Sequence, residues 1–553
     1  MVAAKHPVAA RAGARMFELG GNAVDAAIAA AFASGVVEPM MSGLGGGGVM
    51  IVHDPADGRS WCVDFGMRSP ARATPDCYEL AEGRSPDVFK WRKVAGDANL
   101  IGHRAAAVPG AVAGYAAALA RWGRLPLATV IQPAIEAAAE GVPVEWYHTV
   151  LVVKELAKLR RFPATAAIFL DRHDPPAPLD VTGAGARLVQ PDLARTLEQI
   201  AAGGPDAFYR GPFAEALEAE MAAHDGLLRA SDLATVAPRI VPALVTSYRQ
   251  ARVATAPESF GGVTMTEMLR LLDGFDLAGL GHLSVASLHL IAEASRLAFA
   301  DRYAYLADPA AVPVPYAGLL DPGYLAERRA LIDPGRALAA PAPGDPWRYE
   351  PGGRPAALAL GIAPPHASNT THLCAADGEG LAVSLTSTLM SLFGCGVVVP
   401  GTGVLLNNGM CWFDPEPGRP NSIAPNRRPL TNQTPAIVLD AAGARLAVGA
   451  SGGRRILDAV AQLIIKHVDY GLGPQAAISS PRLDCSEPEM LIDERVGPAT
   501  IAGLAALGHA LRPIRVDFHY NPFASPTAIQ LDRAAGRLRG GADQFYPALA
   551  VGV

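Results

Sequence analysis

The sequence predicts a mixed α+β fold. Three observations predict it: a tight β-hairpin pattern over 370–388, a strand–glycine–helix pattern over 446–464, and helical patterns over 8–38, 105–146 and 283–307. Half of the 553 residues are hydrophobic and 18% are charged, so the chain can bury a large core and is too apolar to be disordered. The 47 basic and 53 acidic residues leave a net charge of −6 and form no basic stretch, which argues against a nucleic-acid partner.

Taken in chain order, residues 8–38 read as two helices broken by Gly20, Gly21 and Asn22. The second helix is so rich in alanine that it must pack closely against something. A glycine run, Gly45–Gly48, then opens a strand over 49–53. A nucleotide-binding glycine loop follows a strand and opens a helix, and here the order is reversed, so close backbone packing is expected instead of a phosphate. Breaks at Val108–Gly110 and Leu125–Leu127 divide the helical stretch 105–146. Leu288, Ile291, Ala294, Leu297 and Ala298 mark one core-facing helix over 283–307. Residues 333–369 are rich in Pro, Ala and Gly and read as an exposed, extended segment. The longest apolar run, Ala26–Val37, is too short for a membrane span, which needs about 20 residues. The start carries no signal-peptide pattern. As written the chain is expected to be cytoplasmic, and a start further upstream would make it periplasmic or secreted. The six cysteines form no C-x-x-C pair and are expected to be buried small hydrophobes.

The hairpin carries the chemistry. Strand 370–376, an Asp377–Gly380 turn and strand 381–388 place Thr370 opposite Ser387 or Thr388. Ser384, Thr386 and Thr388 share one face of the second strand. A threonine hydroxyl needs an adjacent base to act as a nucleophile. A free α-amine titrates near ~7.7–8.0 and is such a base. Cleavage before Thr370 would create it, and Thr388 would orient the hydroxyl. The bland reading is an ordinary hairpin of β-branched residues. A rival nucleophile lies at Ser451, because Gly449–Gly453 matches G-x-S-x-G between a strand and a helix, with His467, His509 and His519 downstream.

Asn369-Thr-Thr-His372, with Thr388 eighteen positions beyond Thr370, resembles the γ-glutamyltranspeptidase family of self-cleaving N-terminal nucleophile hydrolases. Gly20–Asp25, Gly45–Gly48, Val108–Gly110, Ile131–Ala134, Phe260–Gly262, Ala300–Arg302, Leu405–Asn408, Pro425–Leu430 and Ser451–Gly453 extend the resemblance over nearly the whole chain. It implies a four-layer αββα sandwich of two intertwined subunits, 1–369 and 370–553, made by autocleavage between Asn369 and Thr370. Thr370 would form an acyl-enzyme, and the backbone of Gly452 and Gly453 would stabilise the oxyanion. A homodimer of the processed pair is compatible with this. A catalytically dead binding protein on the same scaffold is the alternative of another class, and retention of Thr370, Thr388, Gly452 and Gly453 argues against it.

The pattern fails where the family holds the glutamyl head. The arginine that grips the α-carboxylate is replaced by Gly66, with Arg68 two residues later, and a serine pair is replaced by Thr431 and Asn432. The polar groups that hold the α-amine are replaced by Met390, Gly409 and Trp412. A buried ammonium without a partner costs several kcal/mol. Two substrate classes follow: γ-glutamyl amides, with Arg68 rebuilding the clamp, or acyl amides lacking the α-amine, of glutaryl or oxamate type. The loop 414–425 looks short for a lid, with Trp412 and Phe413 as one wall of an open pocket or the loop simply packed on the surface. No metal or organic cofactor is implied, His-Glu-x-x-His being absent, and His372 is expected to be structural. The partner is a small-molecule amide.

Overall fold

The computed structural model describes residues 1–84, 91–180, 182–355, 361, 370–516 and 523–553. Two antiparallel sheets form its centre. One has seven strands in the spatial order Leu549–Val551, Val2–Ala4, Thr371–Ala376, Ala382–Thr388, Gly47–Asp54, Arg59–Phe65 and Arg239–Pro242. The other has six, in the order Arg537–Ala542, Ser525–Asp532, Gly443–Ser451, Ala436–Asp440, Ala251–Thr255 and Leu244–Tyr248.

The alternation along each strand builds the layers. Cys374, Ala376, Ala382, Val49, Ile51 and Cys62 from the first sheet meet Ala254, Ile437, Ala447 and Ile529 from the second in one buried layer. So many alanines let the sheets stack closely. Leu373, Leu385, Met50, Val63 and Phe65 point the other way, under helices that include Pro7–Glu18, Ala23–Val37 and Ala111–Trp122. Val438, Leu446 and Val448 pack under Gly262–Leu272, Val285–Tyr305 and Arg455–Val468. Helix, sheet, sheet, helix is the four-layer sandwich that the sequence implied.

Helix Ala23–Val37 is apolar all round and almost wholly buried, as its alanines require. It starts at a capping box: Asn22 Oδ1 accepts from Val24 and Asp25, and the Asn22 N–H donates to Asp25 Oδ2 at 2.8 Å. Five of the six cysteines are buried and none of the six forms a disulfide.

Of the Pro- and Ala-rich stretch 333–369, the described part through residue 355 is largely exposed, as expected, and is tied to the body at several points, while 356–360 and 362–369 lie outside the described residues. Ala337 donates to Leu507, Leu338 to Glu293, and Gly344 to Asp301, while Trp347 is buried beside Tyr305 and Tyr324. Proline and alanine patterning shows only the lack of regular structure, and here backbone-to-carboxylate bonds supply the anchoring.

Candidate functional site

The hairpin Thr371–Ala376 and Ala382–Thr388 pairs Thr371 with Ser387, so Thr370 stands opposite Thr388. Alternation turns Thr370, His372, Thr386 and Thr388 toward the second sheet and Thr371 toward the outer helices. Thr370 Oγ1 lies 3.4 Å from Thr388 Oγ1, long for a hydroxyl pair. Thr388 is held by the Met390 N–H, which donates to its Oγ1 at 2.8 Å. Thr370 is 3% exposed. Asn369 lies outside the described residues.

On the flank of Thr388, the glycine run does what a close approach demands. A Cβ at Gly46 would sit 2.3 Å from the Thr388 carbonyl oxygen, and one at Gly48 would sit 2.2 Å from that of Thr386. Only glycine lets strand Gly47–Asp54 seat against the hairpin. Thr388 pairs with Gly47 and Gly48 with Phe65, so Thr370, Thr388, Gly47 and Gly66 form one row across four strands. With strands ~4.8 Å apart, the Gly66 backbone lies ~14 Å from Thr370.

His372 sits beneath the row. Its Nδ1 is 2.9 Å from Thr386 Oγ1 and its Nε2 3.4 Å from Cys374 Sγ. Burial drives its pKa down to about 3, so the ring is neutral and structural. Gly449 makes room for it: a Cβ there would lie 2.2 Å from the imidazole. This explains the first glycine of G-x-S-x-G without an elbow. Ser451 Oγ donates to the Ser525 carbonyl at 3.3 Å. His467 Nδ1 bonds the Leu472 carbonyl and His509 Nε2 bonds His289, while His519 lies outside the described residues. Among the described residues, no histidine hydrogen-bonds Ser451. Ser451 closes a paired strand and Gly449 is required by its packing against His372, so the described residues lend the elbow no support.

Thr371 is tied on the opposite face. Its hydroxyl donates to Glu38 Oε2 at 3.0 Å, and Glu38 Oε1 lies 3.8 Å from Lys5 Nζ. Burial pushes the Glu38 carboxyl up and the Lys5 ammonium down, and each partner opposes the shift of the other. The residue after Thr370 is thus anchored to a buried ion pair.

The second sheet lies over the hairpin with its strand end at the same edge. Ser384 Oγ donates to the Val448 carbonyl at 2.9 Å, Ala436 N–H donates to Ser384 Oγ, and Gln433 Nε2 donates to the Thr386 carbonyl. Strand Gly443–Ser451 therefore runs toward the Thr370 end and delivers Gly452 and Gly453 there, just before helix Arg455–Val468. Their φ values are +143° and +67°, a conformation that side chains resist. Thr431 and Asn432, two and one residues before Gln433, reach the same end. Arg302 holds them, donating to the Thr431 carbonyl and to Asn432 Oδ1. That leaves Thr431 Oγ1 and Asn432 Nδ2 buried with no hydrogen-bond partner among the described residues.

Met390 has φ +83° and is fully buried. It packs with Met67, Trp91, Met410, Cys411, Trp412 and Phe413 in one apolar cluster. Gly409 borders that cluster, where a Cβ would meet Ala107 at 2.9 Å. Trp412 and Phe413 are enclosed, so they do not wall an open pocket; the loop after them folds back, with Asn421 Nδ2 donating to the Trp412 carbonyl. Arg68 donates to the Ala237 carbonyl at 2.9 Å and lines a cleft with Asp64, Gly66, Arg239, Asn426 and Arg428. Thr370 is not among the residues lining that cleft.

Sequence reasoning missed Glu38, Lys5, Arg302 and the roles of Asn407 and Asn408. The Asn407 side chain makes four bonds, donating to the Gly45 and Ala107 carbonyls and accepting from the Ala107 and Gly409 N–H groups. Asn408 accepts from Ser391 and donates to Leu100. Two adjacent amides inside an apolar stretch were the available signal, since buried amides need complete partners.

The geometry can be set beside known proteins. The gamma-glutamyltranspeptidase family model matches residues 9–551. The chain belongs to that family. It is similar to the acylase ACY 1 proenzyme of Pseudomonas sp. (strain SE83), 39% identical over 97% of this chain and 92% of that one. It is 36% identical to the glutathione hydrolase proenzyme of Bacillus subtilis (strain 168), over 100% of this chain and 91% of that one. Among solved structures, the cephalosporin acylase from Bacillus halodurans superposes with a TM-score of 0.86 at 27% identity, covering 100% of this chain and 95% of that one. As a gamma-glutamyltranspeptidase-family protein the chain is an enzyme, a proenzyme-type N-terminal nucleophile hydrolase that hydrolyses amides or transfers their acyl groups. No helix among its described residues is long and apolar enough to cross a membrane.

Proposed function

We propose that this enzyme is an amidohydrolase or acyltransferase for small acyl amides, with Thr370 as nucleophile. In the precursor the Thr370 hydroxyl attacks the Asn369 carbonyl. The Asn369–Thr370 C–N bond breaks as the ester forms, the Thr370 nitrogen leaving as a free α-amine with the hydroxyl proton, and water then hydrolyses the ester, which separates residues 1–369 from 370–553. That amine then takes the hydroxyl proton as Thr370 attacks the substrate carbonyl, and passes it to the leaving amine. Thr388 orients the hydroxyl. The Gly452 and Gly453 N–H groups stabilise the oxyanion, a type of contact worth about 3–4 kcal/mol. Water or an acceptor amine releases the acyl group.

The acyl group proposed is one without an α-amine, of glutaryl type. The carrying observation is the apolar cluster at Met390 and Trp412, with Gly409 beside it. It offers no partner for an ammonium where the family holds one. Thr431 Oγ1 and Asn432 Nδ2, buried and without a partner among the described residues, suit an acyl carboxylate or carbonyl. The names of the Pseudomonas acylase and the Bacillus halodurans cephalosporin acylase favour the same reading. γ-Glutamyl transfer is the second reading, favoured by the Bacillus subtilis glutathione hydrolase and by Arg68 beside Gly66.

The test compares glutaryl- and γ-glutamyl-anilide under identical conditions. Faster turnover of the glutaryl compound is expected, and faster turnover of the γ-glutamyl compound would overturn the substrate assignment. Thr370→Ala should abolish both cleavage and turnover. Thr388→Ala should slow both on the order of a hundredfold, the lower range for a catalytic hydrogen bond. Normal cleavage in Thr370→Ala would overturn the nucleophile.

A further inference from the structure

Away from Thr370, one cluster combines ligand chemistry with access to solvent. His103 opens the short turn His103–Ala105, Glu220 lies in the last turn of helix Pro212–Ala223, and His224 follows it. The four-residue spacing puts Glu220 and His224 on one face, one turn apart. His103 Nε2 lies 2.7 Å from Glu220 Oε1, and His224 Nδ1 lies 3.4 Å from the same oxygen. The two imidazoles stack with centroids 4.3 Å apart at 6°. One ligand atom from each residue falls within 4.8 Å of the others. A tetrahedral zinc ion with bonds of ~2.0–2.2 Å sets its ligand atoms ~3.3 Å apart, a separation that the present distances bracket.

His224 is half exposed, so the cluster reaches solvent there, and its Nδ1 also lies 3.0 Å from the Glu220 carbonyl oxygen. The neighbouring Arg104 guanidinium is paired with Asp225 and so adds no uncompensated positive charge.

A second histidine cluster shows the contrast. His289, Glu293 and His509 also converge, but both ring nitrogens of His289 are bonded, to His509 and to the Asp333 carbonyl. Glu293 is committed to Arg296 and the Leu338 N–H. That cluster is closed and wholly buried, whereas the one at His103 reaches solvent through His224.

We propose that His103, Glu220 and His224 form a surface site for a transition-metal dication of the Zn2+ or Ni2+ class, with water completing the shell. Two imidazoles and one carboxylate select such ions over Mg2+ and Ca2+, which prefer all-oxygen shells. Ligation replaces the His103–Glu220 hydrogen bond and staples helix Pro212–Ala223 to the segment before His103. That segment reaches the catalytic region: Leu100 accepts from Asn408 Nδ2, and Gly102 donates to the Cys395 carbonyl.

The experiment is titration calorimetry on tag-free, chelator-stripped protein with ZnCl2, NiCl2 and MgCl2. One equivalent of Zn2+ or Ni2+ should bind at micromolar levels, and Mg2+ should not. His224→Ala and His103→Ala should each weaken binding on the order of tenfold or more. Zn2+ should raise the melting midpoint of the wild type, and raise that of His224→Ala less at the same Zn2+ concentration. Because His224 is half exposed, an unchanged metal-free midpoint in His224→Ala shows that its fold is intact. Absence of saturable Zn2+ and Ni2+ binding, or binding that both substitutions leave untouched, would overturn the proposal.

Discussion

Glu38→Gln probes the anchor behind the nucleophile strand. Lys5 and Glu38 have side chains 1% and 2% exposed, at 3.8 Å. Removing one partner of such a buried pair costs about 3–5 kcal/mol, because the other charge is stranded in a low-dielectric interior. Glutamine keeps a side-chain oxygen for the Thr371 hydroxyl and so isolates the loss of charge. Glu38→Gln should therefore lower unfolding stability by about 3 kcal/mol or more. Lys5→Met added to it removes the stranded charge and should restore at least half of the loss. The assay is denaturant unfolding in a Thr370→Ala background, where the chain stays in one piece. Thr371→Val complements it. It removes the hydrogen bond but neither charge, and should slow cleavage about tenfold, equivalent to ~1.4 kcal/mol. A Glu38→Gln protein within about 0.5 kcal/mol of its parent, a change typical of surface substitutions, would refute the reasoning. So would a double variant no more stable than Glu38→Gln.

Gly449→Ala should destabilise by about 1–3 kcal/mol or more, since its methyl would overlap the His372 ring, while Ser451→Ala should spare cleavage and turnover; loss of activity only in the serine variant would revive the elbow. Buried neutral histidines make the fold acid-sensitive. The pKa falls to about 3 at His6 and His372 and to about 4 at His148 and His509, all by burial first. Folded values below the ordinary ~6.5 mean that the unfolded chain takes up protons first as pH falls. Stability should be full above pH ~6.5 and decline below it, by about 1.4 kcal/mol per pH unit for each such histidine. Unfolding measured from pH 7.5 to 5 tests this, and a flat profile would contradict it.

Much of the architecture was legible because local rules and tertiary packing agree. Ala23–Val37 announced a buried helix by composition, Asp377–Gly380 announced the hairpin turn, and Gly45–Gly48 before a strand announced close strand approach. The hairpin register fell within one residue, enough to face Thr370 with Thr388. What stayed hidden depends on contacts distant in sequence. Glu38 meets Thr371 across 333 positions, and Arg302 meets Asn432 across 130. No periodicity encodes such pairs. The wall at Trp412 and Phe413 was misplaced for a similar reason: an aromatic pair beside a short loop reads alike whether it lines a cleft or fills a core. The packing of Met67, Trp91 and Met410 decides for the core.

The most direct test of the account is the mass and the first residue of the smaller fragment in freshly purified enzyme. The account predicts two chains, the smaller beginning at Thr370, with activity appearing as they form. A single 57.4 kDa chain that turns over amides, or a fragment that begins at any other residue, would contradict it.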